Sequence, residues 1–193
     1  MINKKQLTAV ILAGGKSQRM GEDKAFLMFQ QQTFIEHIIH AVQPLVTEVV
    51  IIGAVHKYKQ LGLTVYKDKI ADQGPVGGIH TALSIVKTPY LLVLSCDIPL
   101  VSTQLLQYLI ENSLPCDVNV MTIRDKHQPL TALYKRTCLS VFEHALEQQQ
   151  LKLQALFEQM EVHKIPCPLP LISCLENINT PKDFQRIKNE NQH

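Results

Sequence analysis

No run of apolar residues in this sequence approaches the ~18 that a membrane-spanning helix needs, and no two cysteines are spaced C-x-x-C. The five cysteines, at 96, 116, 138, 167 and 174, are odd in number. They read as reduced thiols filling small core positions, which excludes a disulfide framework. The eight histidines are scattered, with no H-E-x-x-H pair among them, so the helical zinc signature is missing. A marked excess of one charge over the other is missing as well. A formal net charge of +2 is too small to argue for nucleic acid or an anionic membrane as partner. Internal repeats, low-complexity tracts and long linkers are also wanting. The N-terminal "MINKKQLTAVIL" joins a basic patch to an apolar run of about six residues, short of the ~7–15 of a signal peptide, and a glycine pair follows in place of a cleavage site. The expectation is a cytoplasmic protein whose 193 residues form one domain with one well-buried core.

What the chain does have is alternation. "LTAVIL" (7–12), "EVVIIGA" (48–54), "LTVYK" (63–67) and "YLLVLSCD" (90–97) are short and apolar throughout, as strands covered on both faces should be. Between them lie helical stretches. Residues 33–46 place Phe34, Ile38, Ile39 and Val42 on one stripe, with Thr33 and Glu36 as a capping box. Residues 74–87 read as a glycine-rich lead-in followed by a helix from Ile79, and residues 102–113 as a helix capped by Ser102. The second half is more mixed. Strands are expected at 117–123, 129–135 and 161–165, helices at 137–150 and 152–160, and a last helix near 180–189 with Thr180 as cap and Pro181 in its first turn. The order implies an α/β fold: one three-layer domain, a Rossmann-like, mostly parallel sheet with helices on both faces.

The stretch "LAGGKSQRMGEDKA" (12–25) follows the first strand. It fails as a Walker A loop because Val10 stands where a glycine is required, and as G-x-G-x-x-G because Ala13 and Gln18 do. The physics of a phosphate loop survives without either label. Gly14 and Gly15 let the backbone turn sharply and bring bare N–H groups near a ligand, while Arg19 and Lys24 supply charge. The alternative is a tight turn with both cations solvated. Placement favours function, since ligands of open parallel sheets bind beyond the strands' carboxyl ends. Asp97 closes its strand at that same edge and could hold Mg2+ beside a polyphosphate, or simply cap the next turn. Asp68 follows the third strand and could accept from ribose hydroxyls or base N–H groups, or be a turn aspartate. "GPVGG" (74–78), with Gly78 last, leaves backbone against which a flat base could lie.

Taken together, "LAGGKSQRMGEDKA", Asp68, "GPVGGI", "SCDIP", "HQPLTALY" (127–134) and "NINTPKDF" (177–184) resemble the molybdenum cofactor guanylyltransferases, the nucleotidyltransferases that attach GMP to molybdopterin. The resemblance covers nearly the whole chain. Gly14 stands where related enzymes that use CTP or sugar phosphates carry alanine more often. The resemblance implies that Leu12, Ala13, Gly14, Gly15 and Gly78 line the nucleotide and that Lys24 meets its phosphates. It implies Asp68 on the guanosine, Asp97 on Mg2+, and Arg19 with Lys24 on the departing pyrophosphate. Asn177 and Asn179 become candidates for the pterin, with residues 1–100 as a nucleotide half and 101–193 as a pterin half. Implied partners are GTP and molybdopterin, with transient contacts to molybdenum-insertion or acceptor-enzyme chaperone proteins. The chain is expected to act as a monomer, with neither nucleic acid nor membrane as partner. One departure is that relatives often carry a polar residue such as Asn after the second strand, where this chain is apolar around Ile52 and Gly53. Two rival readings stand: an enzyme of the same fold using CTP or a sugar phosphate, and a GTP-sensing regulator that turns nothing over.

Overall fold

The structure, a computed structural model, describes residues 2–14 and 23–190. Among these residues the strands are β1 (Leu7–Leu12), β2 (Met28–Phe29), β3 (Gln32–Thr33), β4 (Glu48–Ile52), β5 (Thr64–Tyr66), β6 (Tyr90–Ser95), β7 (Val118–Ile123), β8 (Lys126–Lys135) and β9 (Val162–Pro166). The helices are α1 (Phe34–Val42), α2 (Val55–Tyr58), α3 (Gly74–Ile85), α4 (Thr103–Glu111), α5 (Leu139–Glu147), α6 (Leu153–Phe157) and α7 (Pro181–Glu190).

All but β2 and β3 join one sheet in the order β5-β4-β1-β6-β8-β7-β9. Every pairing in it is parallel except those of β8, which runs against both β6 and β7. The start of β8 therefore lies at the edge where the other six strands end. β1 is apolar and buried at every position because helices cover both faces of the sheet. Its side chains alternate: Leu7, Ala9 and Ile11 pack under α1 and α4, while Val10 and Leu12 pack under α3, α5 and α6. The three layers expected from the strand–helix alternation are those observed. A smaller cluster of Phe29, Phe34, Ile178 and Ile187 ties the C-terminal segment to the start of α1.

Local chemistry sets the helix ends. Glu36 Oε2 accepts from the Thr33 amide at 2.7 Å while the Glu36 amide donates to Thr33 Oγ1 at 3.4 Å, the reciprocal cap expected for α1. Ser102 Oγ accepts from the Leu105 amide, and Thr180 exchanges the same kind of bonds with Asp183. α1 stops at Val42, short of the expected 46, because Pro44 has no N–H to continue the ladder and the chain tightens into a 3-10 turn over Gln43–Leu45.

Three further expectations need correction. The helix expected from Ile79 already begins at Gly74. Pro75 sits in its first turn, where a missing N–H costs nothing. The strand expected to end on Asp97 ends at Ser95, and Asp97 lies in the following turn. β8 also starts three residues before the expected 129. Pro129 falls where the β7–β8 register shifts, so no ladder bond is lost.

Candidate active site

The ladder continues one residue past the central strands. The Ala13 amide donates to the Ile52 carbonyl at 2.9 Å, the Gly53 amide to Tyr66 at 2.9 Å, and the Cys96 amide to Leu12 at 3.2 Å. These bonds fix the exits of β1, β4 and β6 in a row. Beyond them Leu12, Gly14, Asp68, Gly78, Ser95 and Leu130 line a cleft. It opens where open α/β sheets bind ligands, outside the carboxyl ends of parallel strands.

Asp68 is the charged side chain among the described residues that line this cleft. Its carboxylate lies between two glycines: a methyl at Gly14 would come 3.4 Å from Oδ2, and one at Gly78 3.7 Å from Oδ1 and 3.0 Å from Leu12 Cδ2. Oδ1 is buried and finds no hydrogen-bond partner among the described residues. Burial raises the Asp68 carboxyl above its ordinary 3.8. A buried acceptor left unmade costs roughly 1–3 kcal/mol, so an orphan at this position calls for a physical reason. Gly77 and Gly78 are buried, in contrast to the open lead-in expected from "GPVGG"; Gly74 and Pro75 are the exposed part. Gly78 serves by bringing α3 against Leu12 and leaving the carboxylate uncovered.

Asp97 shows the same signature. Its Oδ1 is buried without a partner among the described residues, and its backbone carbonyl accepts from the Ile178 amide at 2.8 Å. Next to it, burial pushes the Cys96 thiol up to about 12, the Asp97 and Asp23 charges add to the rise, and Lys24 opposes it. Three charged residues thus converge around a thiol that stays protonated at neutral pH. Lys24 opens a 3-10 turn (Lys24–Phe26) capped by Asp23, and its Nζ donates to Asn179 Oδ1 at 2.6 Å. Asn177 and Asn179 are exposed on either side of the fully buried Ile178. The C-terminal segment therefore reaches the same edge as β1 and β6. Gly15 and Arg19 lie outside the described residues.

Several groups at this edge escaped the sequence reading. Tyr58 and Lys57 of α2 both reach Asp23, and the Tyr58 hydroxyl also donates to the Ala13 carbonyl. Gly53 explains the apolar turn after β4: a methyl there would come 2.9 Å from Tyr58 Cε2. His127, at the start of β8, packs edge-on against Phe157, and burial with Lys164 nearby lowers its pKa. One turn of helix and a lone histidine carry no periodicity by which either could be found.

Gly14 at the exit of β1, two carboxylates with an oxygen unpartnered among the described residues and a lysine on a neutral amide share one sheet edge, an arrangement that suits the nucleotidyltransferase class of α/β domains. The chain belongs, within that class, to the family described as the MobA-like NTP transferase domain, which it matches over residues 9–164. It is 33% identical over 186 residues to a protein of Carboxydothermus hydrogenoformans named "Probable molybdenum cofactor guanylyltransferase", covering 94% of each chain. A Flavobacterium johnsoniae protein of the same name is 41% identical over 155 residues, 80% of this chain and 82% of that one. The crystal structure of molybdopterin-guanine dinucleotide biosynthesis protein A from Archaeoglobus fulgidus superposes with a TM-score of 0.80 at 25% identity, covering 95% of this chain and 97% of that one.

Proposed function

We propose that this protein transfers GMP from GTP to the terminal phosphate of molybdopterin, releasing pyrophosphate and forming the guanine dinucleotide of the cofactor. The observation that carries the reading is Asp68, an unpartnered buried acceptor held between Gly14 and Gly78 at the exit of β1. Guanine offers an N–H and an amino group side by side, and ribose offers hydroxyls. A carboxylate accepts from either pair.

In the reaction a terminal phosphate oxygen of molybdopterin attacks the α-phosphorus of GTP, and the bond from that phosphorus to the bridging oxygen breaks. The nucleophile is already an anion at neutral pH, so no strong base is required. This agrees with a Cys96 thiol held protonated beside the site. Positioning and charge neutralisation then carry the rate, as in phosphoryl transfer generally. Lys24 rests on a neutral amide oxygen, and a phosphate oxygen is the stronger acceptor for it. Its Nζ moves to the departing pyrophosphate, a task Arg19 shares. Asn179, once released, offers its amide to the second substrate together with Asn177. Asp97, with an unpartnered Oδ1, fits Mg2+, which takes one or two carboxylates and completes its shell with phosphate and water. When bound, that ion neutralises charge on the triphosphate.

Residues 1–100 act in this reading as the nucleotide half and 101–193 as the pterin half of one cytoplasmic, monomeric enzyme. Its contacts with molybdenum-insertion or acceptor proteins are transient. The test is pyrophosphate release by the purified protein with Mg2+, offering GTP, CTP or ATP, each with and without molybdopterin. Release with GTP plus molybdopterin alone is expected. Release with CTP would reassign the base-reading role of Gly78 and Asp68, and GTP binding without release would make the protein a sensor.

A further inference from the structure

We propose that the Tyr58 hydroxyl is a positioning group for Lys24, fixing the cation by fastening the residue before it to the exit of β1. The inference rests on the reading of Lys24 as a phosphate ligand and adds a residue that acts through it. Tyr58 is 1% exposed, and its hydroxyl lies 2.9 Å from the Ala13 carbonyl and 3.2 Å from Asp23 Oδ2. One O–H proton is thus placed between a backbone carbonyl of the central strand's exit and the carboxylate that caps the Lys24 turn. Its ring stacks on Phe26 with centroids 5.4 Å apart and planes 15° from parallel. Lys24 stands between Asp23 and Phe26 in sequence, so Tyr58 grips the turn on both sides of the lysine.

The neighbouring groups fit this purpose better than simple core filling. A ring that only filled space would do as well as phenylalanine, without a buried hydroxyl to satisfy. Lys57, one residue earlier, donates to Asp23 Oδ2 at 2.9 Å. Asp23 is the nearest anion to Lys24 in sequence and the obvious competitor for its charge. With Lys57, Tyr58 and the Ala25 amide on its oxygens, Asp23 is occupied, while Lys24 Nζ rests on the neutral Asn179 amide. Gly53 completes the device. A methyl there would stand 2.9 Å and 3.2 Å from the Tyr58 ring and 3.3 Å from the Ala13 carbonyl, so only bare backbone lets the ring lie across the exit of β4. The apolar turn that departs from the family's polar residue is the seat of this tyrosine.

The experiment is a double-mutant cycle of Tyr58→Phe with Lys24→Ala, read by calorimetric binding of inorganic tripolyphosphate and of GTP, with thermal unfolding of each protein. Tripolyphosphate carries neither base nor pterin, so it reports on the lysine whatever the true substrate is. Tyr58→Phe is expected to weaken tripolyphosphate and GTP about tenfold, the worth of one hydrogen bond to a charged group. In the Lys24→Ala background the same change should cost less than twofold, because the two residues act as one unit. An equal loss in both backgrounds, or no loss in either, overturns the proposal. Should Tyr58→Phe unfold, Asp23→Asn keeps shape and folding while weakening the grip, and it must show the same dependence on Lys24. Wild-type turnover of GTP with unchanged binding in Tyr58→Phe removes this inference alone. A wild-type protein that binds no tripolyphosphate removes the reading of Lys24 and the inference with it.

Discussion

Asp68→Asn is expected to raise the stability of the folded protein at neutral pH while weakening its hold on GTP. The folded carboxylate is half-buried with one oxygen unpartnered, so its charge is held at a cost. For a half-buried group the low end of the range applies, about 1 kcal/mol, or a rise of roughly 2–4 °C in Tm for a chain of this size. Burial raises the folded-state pKa above 3.8, so on acidification the native state takes up its proton before the unfolded chain does. The wild-type deficit is therefore complete above the folded pKa, shrinks as pH falls through it, and is gone below 3.8. GTP binding moves the other way. Asparagine replaces one acceptor with a donor facing the donors of the base or ribose, a loss of about 10–100-fold in Kd. Thermal melts of both proteins across this pH range, with calorimetric titration of GTP at neutral pH, test both halves. An asparagine variant less stable than wild type at neutral pH, a stability gap that persists below 3.8, or an unchanged Kd would each refute the reasoning.

Asp97→Ala should lower turnover by at least ~10²–10³ with the melting temperature little changed; near-normal pyrophosphate release would deny it the role of metal ligand. Gly78→Ala sets a methyl 3.0 Å from Leu12 Cδ2. Its overpacking cost of about 1–3 kcal/mol is offset in part by the ~1 kcal/mol helix advantage of alanine over glycine, a net loss of roughly 0–2 kcal/mol, so the protein should still fold while GTP binding falls at least tenfold, measured on the same sample. Ile178→Ala removes the buried anchor between the two asparagines at a cost of about 2–5 kcal/mol, a fall of roughly 5–15 °C in Tm. Preference for GTP over CTP should exceed tenfold in kcat/KM if Asp68 reads guanine, and parity would sink that assignment.

The parts of this fold that show in the sequence are those whose burial leaves a pattern. β1 and β6 are covered on both faces and read as unbroken apolar runs. Gly14, Asp68 and Asp97 stood out because a glycine or a charge after such a run has few structural uses. The direction of β8 did not show, since an apolar run carries no arrow and only its pairings with β6 and β7 reveal the reversal. α3 hid its first turn behind Pro75, Gly77 and Gly78, residues that argue against a helix interior but are tolerated at its start. α2 is one turn long and offers no repeat to detect, so Tyr58 looked like any aromatic. The Lys24–Asn179 bond joins residues 155 apart, and no local pattern announces a contact made by the folding of the whole chain.

The reversal of β8 has a further consequence for how such a protein can change. The turns after β4, β5 and β6 lead on into α2, α3 and α4, so lengthening one of them displaces structure elsewhere. The β7–β8 hairpin reaches the same edge but folds straight back on itself through Arg124 and Asp125, both in left-handed backbone with φ of 48° and 63°. A two-residue tip of this kind accepts added residues in pairs without altering the register beneath it. Variation can therefore accumulate at this part of the rim while the exits of β1 and β6 stay as they are, so the outline of the edge can change without a change in the sheet that carries it.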